Sequence, residues 1–424
     1  MAGPGEGLRI AELVLRSNQW MHRRIERIVI EPTSECTRYI SIDFTLESDL
    51  MVVGSSTDTV LVPLGLCRKG PLTALSIRGP SGKPAPLLET TANGEHAVAM
   101  LVAMALSVAN VRQTDDLVNF RCLIESVVFH QGAPDPALAS KISAGLTALG
   151  IACESEPAAS FAELIQQFES NFLMVVELDA DVVGRRSIVK IDYREPRGQN
   201  DLAPWKPKLV WQIPEFGTAA STHVEFSSPP LLLVSDAELI EGDADTGVAV
   251  ARSAEPAATV HLVARPNSRF SQASAIVTLA PRRYGAITAL RVGGWSIVAV
   301  VVLGLLIRHL RSTAVLPTKP LGTSFPTVLL AVGGLLLTWI ARSPEDWSTS
   351  RILLIARRSL LSSALLTVLV AGYLAIPVGG SMRSLGWCII LGLAVLNAVF
   401  GEVLWRRCRI KALRSQSEAT ERTA

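Results

Sequence analysis

The chain has 424 residues, 49% of them apolar and only 18% charged, and its formal net charge is +2. That near-neutral total hides a division: residues 1–281 hold 23 Lys+Arg and 33 Asp+Glu, a net of −10, whereas residues 282–424 hold 17 and 5, a net of +12. An acidic first region is repelled by phosphate backbones, which argues against nucleic acid as its partner; in the second region arginines flank apolar runs, as they do where helices leave a bilayer.

The N-terminal stretch MAGPGEGLRIAELVLRSNQW carries acidic residues and no long apolar core, so it does not read as a signal peptide. Residues 1–93 read as a β-rich segment. ERIVIEP, TRYISIDFTL and TVLVPLGL are strand-type runs, and in the second Tyr39, Ser41 and Asp43 alternate with Ile40, Ile42 and Phe44. LTALSIRGPSGKPAPLL reads as two short strands around a turn. Within it, GPSGK (Gly79–Lys83) has a superficial likeness to a phosphate loop. Only two residues separate its glycines and Pro84 stands where a Ser or Thr is required, so a hairpin turn is expected.

Residues 94–171 form a helical segment, with helices expected at Gly94–Val111, Asp115–Phe129, Pro136–Leu149 and Phe161–Ser170. Asp135 followed by Pro136 is a cap and a first-turn proline. The uncharged run Ala97–Val111 is shorter than the roughly 20 residues a membrane span needs, and is expected as a buried helix of a soluble core.

From 172 to 283 short strand runs return: FLMVVEL, RSIVKIDY, PKLVWQI, STHVEF, LLLVSDAEL, GVAVAR, ATVHLVARP and SAIVTLAP. Closely spaced strands with turn residues between most of them predict an immunoglobulin-like β-sandwich. The cysteine and tryptophan marks of antibody domains are missing, so this likeness is architectural and implies no activity. EGDADTG suggests a calcium loop starting at Asp243, but Gly247, Val248 and Ala254 occupy positions that need an acceptor, a glycine and a glutamate. It reads as a solvated turn, as does ELDADVVGRR with Glu177, Asp179 and Asp181.

Residues 284–407 are expected to form four transmembrane helices, near 290–308, 321–341, 359–382 and 384–405, followed by a basic and then polar cytoplasmic tail at 408–424. On a four-span topology, Arg282, Arg283, Arg291, Arg342, Arg351, Arg357, Arg358, Arg406, Arg407, Arg409, Lys411 and Arg414 share one side, against Arg308, Arg311, Lys319 and Arg383 on the other. The excess places both termini in the cytoplasm of a protein of the inner (plasma) membrane. In SPEDWSTSRILLIARR, Ser343, Pro344, Glu345 and Asp346 mark a helix start. No ionisable residue interrupts the apolar runs. Glu402 has Arg406 four residues on, Asn397 is a lone side-chain amide, and Ala371/Ala375 and Ala394/Ala398 suit helix packing. These features favour anchoring over transport.

The cysteines (Cys36, Cys67, Cys122, Cys153, Cys388, Cys408) and the histidines (His22, His96, His130, His223, His261, His309) show no metal spacing, and neither a nucleophile-elbow nor a dinucleotide motif occurs. No catalytic, cofactor-binding or metal-binding residue is assigned, and no cofactor is expected.

TRYISIDFTL, VPLGLCRKGPLTAL and APLLETTANGEHAVAMLVA together resemble bacterial membrane proteins in which a soluble N-terminal region precedes C-terminal spans. The resemblance covers mainly residues 22–110 and the general layout. It implies multi-pass membrane attachment and brings no catalytic residue or substrate. The expectation is therefore an α+β soluble region anchored in the lipid bilayer, with a non-enzymatic binding or scaffolding role and a protein partner for the cytoplasmic domain. A small transporter or channel subunit, and a membrane-bound enzyme, are the alternatives.

Overall fold

In a computed structural model the described residues are 4–31, 35–70, 72–108, 114–132, 135–152, 156–196, 200–203, 206–213, 218–242, 247–265, 273–282, 287–312, 330–331, 354–375 and 381–423. The chain opens on helices, not on the strands and turns expected for residues 1–93. Helix α1 (Pro4–Leu15) and the single turn α2 (Ser17–Trp20) precede the first strand. Ile10, Leu13 and Ala11 give α1 a buried stripe at helical spacing. Gly7 lets it lie close on a later helix, because a Cβ there would be 2.6 Å from the carbonyl group of Ala99. A partner distant in sequence fixes this element.

Strands β1 (Met21–Ile30), β2 (Glu35–Thr45), β3 (Thr59–Arg68) and β4 (Thr73–Arg78) follow, and then helices α3 (Thr90–Val108), α4 (Thr114–Val128), α5 (Leu138–Ala148) and α6 (Glu156–Ser170), close to the four sequence expectations. The uncharged run in α3 is core, with Ala97, Val98, Met100, Leu101, Met104 and Ala105 buried. The remaining strands are β5 (Asn171–Asp179), β6 (Arg186–Pro196), β7 (Asn200–Ala203), β8 (Lys206–Ile213), β9 (Thr222–Ser227), β10 (Leu232–Glu241), β11 (Val248–Ser253), β12 (Thr259–Ala264) and β13 (Ala273–Pro281).

These strands do not close on themselves as a separate immunoglobulin-like unit at 172–283. One sheet runs β12-β9-β1-β2-β6-β4, a second runs β11-β10-β13-β8-β7, and β3 pairs with β5 alone. The N-terminal strands β1 and β2 sit in the middle of the first sheet, and β1 pairs with β9 in parallel, Ile28 opposite Phe226. The β2–β6 ladder is antiparallel and long, from Glu35↔Pro196 to Thr45↔Arg186. The local alternation of each strand marks which face is buried, but not which strand it meets.

Two cores result. Ile40, Ile42 and Phe44 of β2, with Val189 and Ile191 of β6, face the helices and the β3–β5 pair. Ile28 and Ile30 of β1 and Cys36 of β2 join Leu209, Trp211, Phe226, Leu239 and Val277 between the two large sheets. Strands β1 and β2 each feed both, β1 through Met21 on one side and Ile28 and Ile30 on the other.

The C-terminal region holds α7 (Thr288–Ser312), α8 (Leu354–Ala375) and α9 (Ser381–Thr423). Four transmembrane helices are not what the structure supports. Among the described residues two stretches are long and apolar enough to cross a membrane, Thr288–Ile307 and Leu385–Arg406. The expected span 321–341 lies outside the described residues apart from Leu330 and Ala331, and so does the helix start at Ser343. The expected span 359–382 coincides with α8 only as far as Ala375; residues 376–380 lie outside the described residues, and Ser381 and Met382 begin α9.

Candidate functional site

The end of β3, the start of β5, the first turns of α3 and the end of α4 meet around an open cavity of about 640 Å³. Its wall is apolar at Leu87, Leu88, Val128, Phe129, Phe172 and Leu173, and polar at Arg68, Lys69, Thr90, Asn93, His130, Gln131 and Glu169. That mixture is what small-molecule sites have in common: an apolar body and a few convergent polar groups.

Local structure builds the polar part. The backbone N–H of Lys69 donates to the carbonyl of Ser170 at 2.7 Å, which ties the residue after β3 to the end of α6. Its side chain then turns to α4, where Nζ donates to the carbonyl oxygens of Val127 (3.0 Å) and His130 (3.2 Å). Carbonyls at a helix C-terminus lack their full set of helical partners, so a lysine there is well placed. Among the described residues the Val127 carbonyl otherwise accepts only a long bond from the His130 N–H, at 3.3 Å. Burial pushes the Lys69 ammonium down from 10.5 to about 8, and the charge of Glu169 opposes that only in part. Asn93 Nδ2 donates to the Leu88 carbonyl at 2.6 Å, and its Oδ1 accepts from the Val175 N–H at 3.1 Å, which locks α3 to β5. Glu169 Oε1 accepts from the Asp135 N–H at 2.5 Å. Phe129 is 44% exposed. Gly94 makes room for it, since a Cβ there would lie 2.3 Å from the ring.

None of these cavity residues stood out in the sequence. Lys69 is a single lysine after a strand, and its partners come from 58 and 61 residues away. No spacing motif signals such a site.

The residues that did stand out are structural. GPSGK is a turn: the Gly79 and Gly82 amides bond to Lys83 and Gly79 carbonyls, both at 2.9 Å, and Gly82 has φ +77°. Glu177 Oε1 accepts from the Ser55 N–H (2.7 Å), Ser55 Oγ (2.5 Å) and Thr59 Oγ1 (2.5 Å). Those hydrogen bonds hold its carboxyl below the usual range. Asp181 lies 3.9 Å from Arg185. Asp243 and Asp245 lie outside the described residues. His223 Nδ1 and His261 Nε2 are 3.0 Å apart on neighbouring strands. Among the described residues no three His, Cys, Asp or Glu side chains converge to hold a metal ion. Cys36 and Cys67 are free and buried, and burial pushes their thiols up to about 12 and about 11.

A charge network sits inside the first sheet. Arg38 donates through Nη1 to Glu26 and through Nε to Glu195, both at 2.5 Å, and through Nη2 to the Gln212 carbonyl at 3.2 Å. The side chain of Glu26 is fully buried and those of Arg38 and Glu195 are 7% exposed, so the network holds β1, β2 and β6 against the second sheet and does not face a ligand.

In the C-terminal helices, Asn397 Nδ2 donates to Ser363 Oγ (2.7 Å) and to the Ser359 carbonyl (3.3 Å), and its Oδ1 accepts from Ser359 Oγ. Glu402 accepts from Arg406 Nε (2.9 Å) and from Arg291 Nε (2.7 Å), and the Arg291 guanidinium stacks 4.0 Å over Trp405. Arg291 begins the first apolar stretch and Glu402 ends the second, so α7 and α9 are antiparallel neighbours. No family model matches this chain, and no curated protein matches its sequence.

Proposed function

We propose that the protein is a membrane-anchored binding module. Its α7–α9 hairpin sits in the inner membrane, and its β-rich region is presented to a protein partner on the cytoplasmic face. The contact of Arg291 with Glu402 carries this reading, because it brings the start of one apolar stretch and the end of the other to the same side. The soluble region and the C-terminal tail then share that side. Within about 15 residues of the two stretches in the sequence, that side has Arg282, Arg283, Arg291, Arg406, Arg407, Arg409, Lys411 and Arg414, and the other has Arg308, Arg311, Lys319 and Arg383. Arg342, Arg351, Arg357 and Arg358 lie farther out in the long connection, where charge has little say. Such an excess faces the cytoplasm.

Anchoring is favoured over transport by where the polar groups of the helices point. Asn397 is used between α8 and α9, and Glu402 is shared by two arginines at the helix ends. Polar side chains that serve a pathway face a water-filled space instead.

Reporter fusions at Val315 and Ala424 test the topology, with the first expected outside and the second inside. Pull-down of the full chain from detergent extracts tests the binding role and is expected to retain a specific protein. Solute flux through vesicles carrying the purified protein, with no partner retained, would replace this reading by transport.

A further inference from the structure

The cavity at Lys69 has a chemistry that neither the anchoring reading nor a protein partner uses, and the inference below rests on neither. A lysine ammonium has three N–H donors, whereas the neutral amine has two and a lone pair. Two acceptors hold Nζ, the carbonyls of Val127 and His130. That set matches the neutral amine, both of whose N–H bonds it satisfies, and leaves the lone pair for whatever enters the space that Lys69 lines.

Three further features restrict the entrant. The two carbonyl oxygens at the end of α4 put partial negative charge at the nitrogen and the Glu169 carboxylate adds a full one within reach of it, which disfavours an anion at that point, while the cationic Arg68 lines another part of the wall. Phe129, Phe172, Leu87 and Leu88 offer an apolar wall. Thr90, in the first turn of α3, lines the same space, where the partial positive charge of a helix start suits a partly negative oxygen. We propose that this cavity binds a small neutral carbonyl compound, an aldehyde or ketone with an apolar body, and that Lys69 captures it as an imine.

The step balances without a co-reactant. The Nζ lone pair forms the C–N bond as the carbonyl π pair moves to oxygen. One N–H proton passes to that oxygen to give the carbinolamine. The second N–H proton and the hydroxyl then leave as water, and C=N forms. Uptake of one proton from solvent through the open mouth converts this neutral imine to its protonated form, whose single N–H serves one of the two α4 carbonyls while water reaches the other. Arg68, His130 and Glu169 are the other titratable groups lining the cavity. The depressed ammonium of Lys69 supports the same conclusion, since half of it is neutral near pH 8.

The test needs no variant. The full chain in detergent is incubated at pH 8 with benzaldehyde and cyanoborohydride, and the modified lysines are mapped by mass spectrometry. An ordinary lysine is under 1% neutral at that pH, and the lower basicity of Lys69 reduces its intrinsic nucleophilicity, so its labelling is expected to exceed that of Lys83, Lys141, Lys190 or Lys208 by roughly tenfold. The excess should disappear in urea, where all lysines become alike, and should fall severalfold with 4-formylbenzoate, whose carboxylate the site repels. Labelling spread evenly over the lysines of the folded chain, or confined to the exposed ones, would overturn the proposal. So would equal labelling by the anionic aldehyde. Lys69→Arg should remove the excess, and the urea control covers the case in which that variant fails to fold.

Discussion

The soluble region and the helical hairpin both bury polar groups, but they use different chemistry. Between the sheets full charges are buried: Arg38 is clamped by Glu26 and Glu195, with Arg24 3.6 Å from the second oxygen of Glu26. In the helices the deep contact is a neutral amide on two serines, and the charged pair of Arg291 with Glu402 stays at the ends, where Arg291 is 39% exposed. A network of several charges can compensate itself inside a folded core. In a bilayer a charge is too costly at depth, so hydrogen bonds between neutral groups and close backbone approach hold helices together.

The same contrast appears in the glycines. Gly7 seats α1 on α3, and Gly294 seats α7 on α9, where a Cβ would be 3.0 Å from the Ala398 Cα. The soluble contact is the tighter, at 2.6 Å to backbone atoms. Water drives α1 and α3 together through their apolar faces; on the anchoring proposed for α7 and α9, lipid supplies no such drive and packing alone must serve.

The comparison is most exposed at Arg38. Arg38→Met leaves Glu195 buried without its cation and Glu26 with Arg24 alone, and the expected cost is about 3–5 kcal/mol. Thermal unfolding of the purified chain in detergent should show the soluble transition lost or lowered by many degrees. A small shift would mean that the sheet tolerates unpaired carboxylates and that the two regions do not differ in this respect.

Gly7→Ala comes next. The added methyl meets backbone, so a helix has to move, at about 1–3 kcal/mol. Gly294→Ala is expected to cost less, because its nearest backbone contact is 3.0 Å and not 2.6 Å, so a smaller shift relieves it. Measuring both variants by the same melting assay sharpens the comparison, and a larger effect at Gly294 would reverse it.

Asn397→Leu removes the amide between α8 and α9. The expected loss is about 1 kcal/mol, read as easier separation of the helices in detergent, with the soluble transition unchanged. A loss as large as that for Arg38→Met would show that the hairpin depends on its buried polar contact as much as the sheets depend on theirs.

The smallest effect concerns an ion pair between the exposed Arg186 and the buried Asp43. Arg186 donates to Asp43 at 2.9 and 2.6 Å, and this holds the Asp43 carboxyl below its usual 3.8. A carboxylate held low stabilises the fold above its unfolded value and loses that contribution as pH falls through the folded one. The stability difference between the wild type and Arg186→Gln should therefore be constant above about pH 5 and shrink below 3.8. A difference that persists at low pH would assign the effect to packing of the arginine stem.

Much of the chain could be read from its own residues. The α4 and α5 periods, the uncharged core helix α3, the turn at Gly79–Lys83 and the first and last apolar stretches follow from side-chain spacing, because helix and turn contacts lie within a few residues. Tertiary structure decided the rest. It placed β1 beside β9 in parallel and so merged the N-terminal strands with the strands after 172, which no alternation pattern specifies. It made α1 a helix by giving Ile10 and Leu13 a core to enter. It also assembled the cavity from Lys69, Asn93, His130 and Glu169, four unremarkable residues in sequence, because a site built across β3, α3, α4 and α6 exists only once those elements have packed.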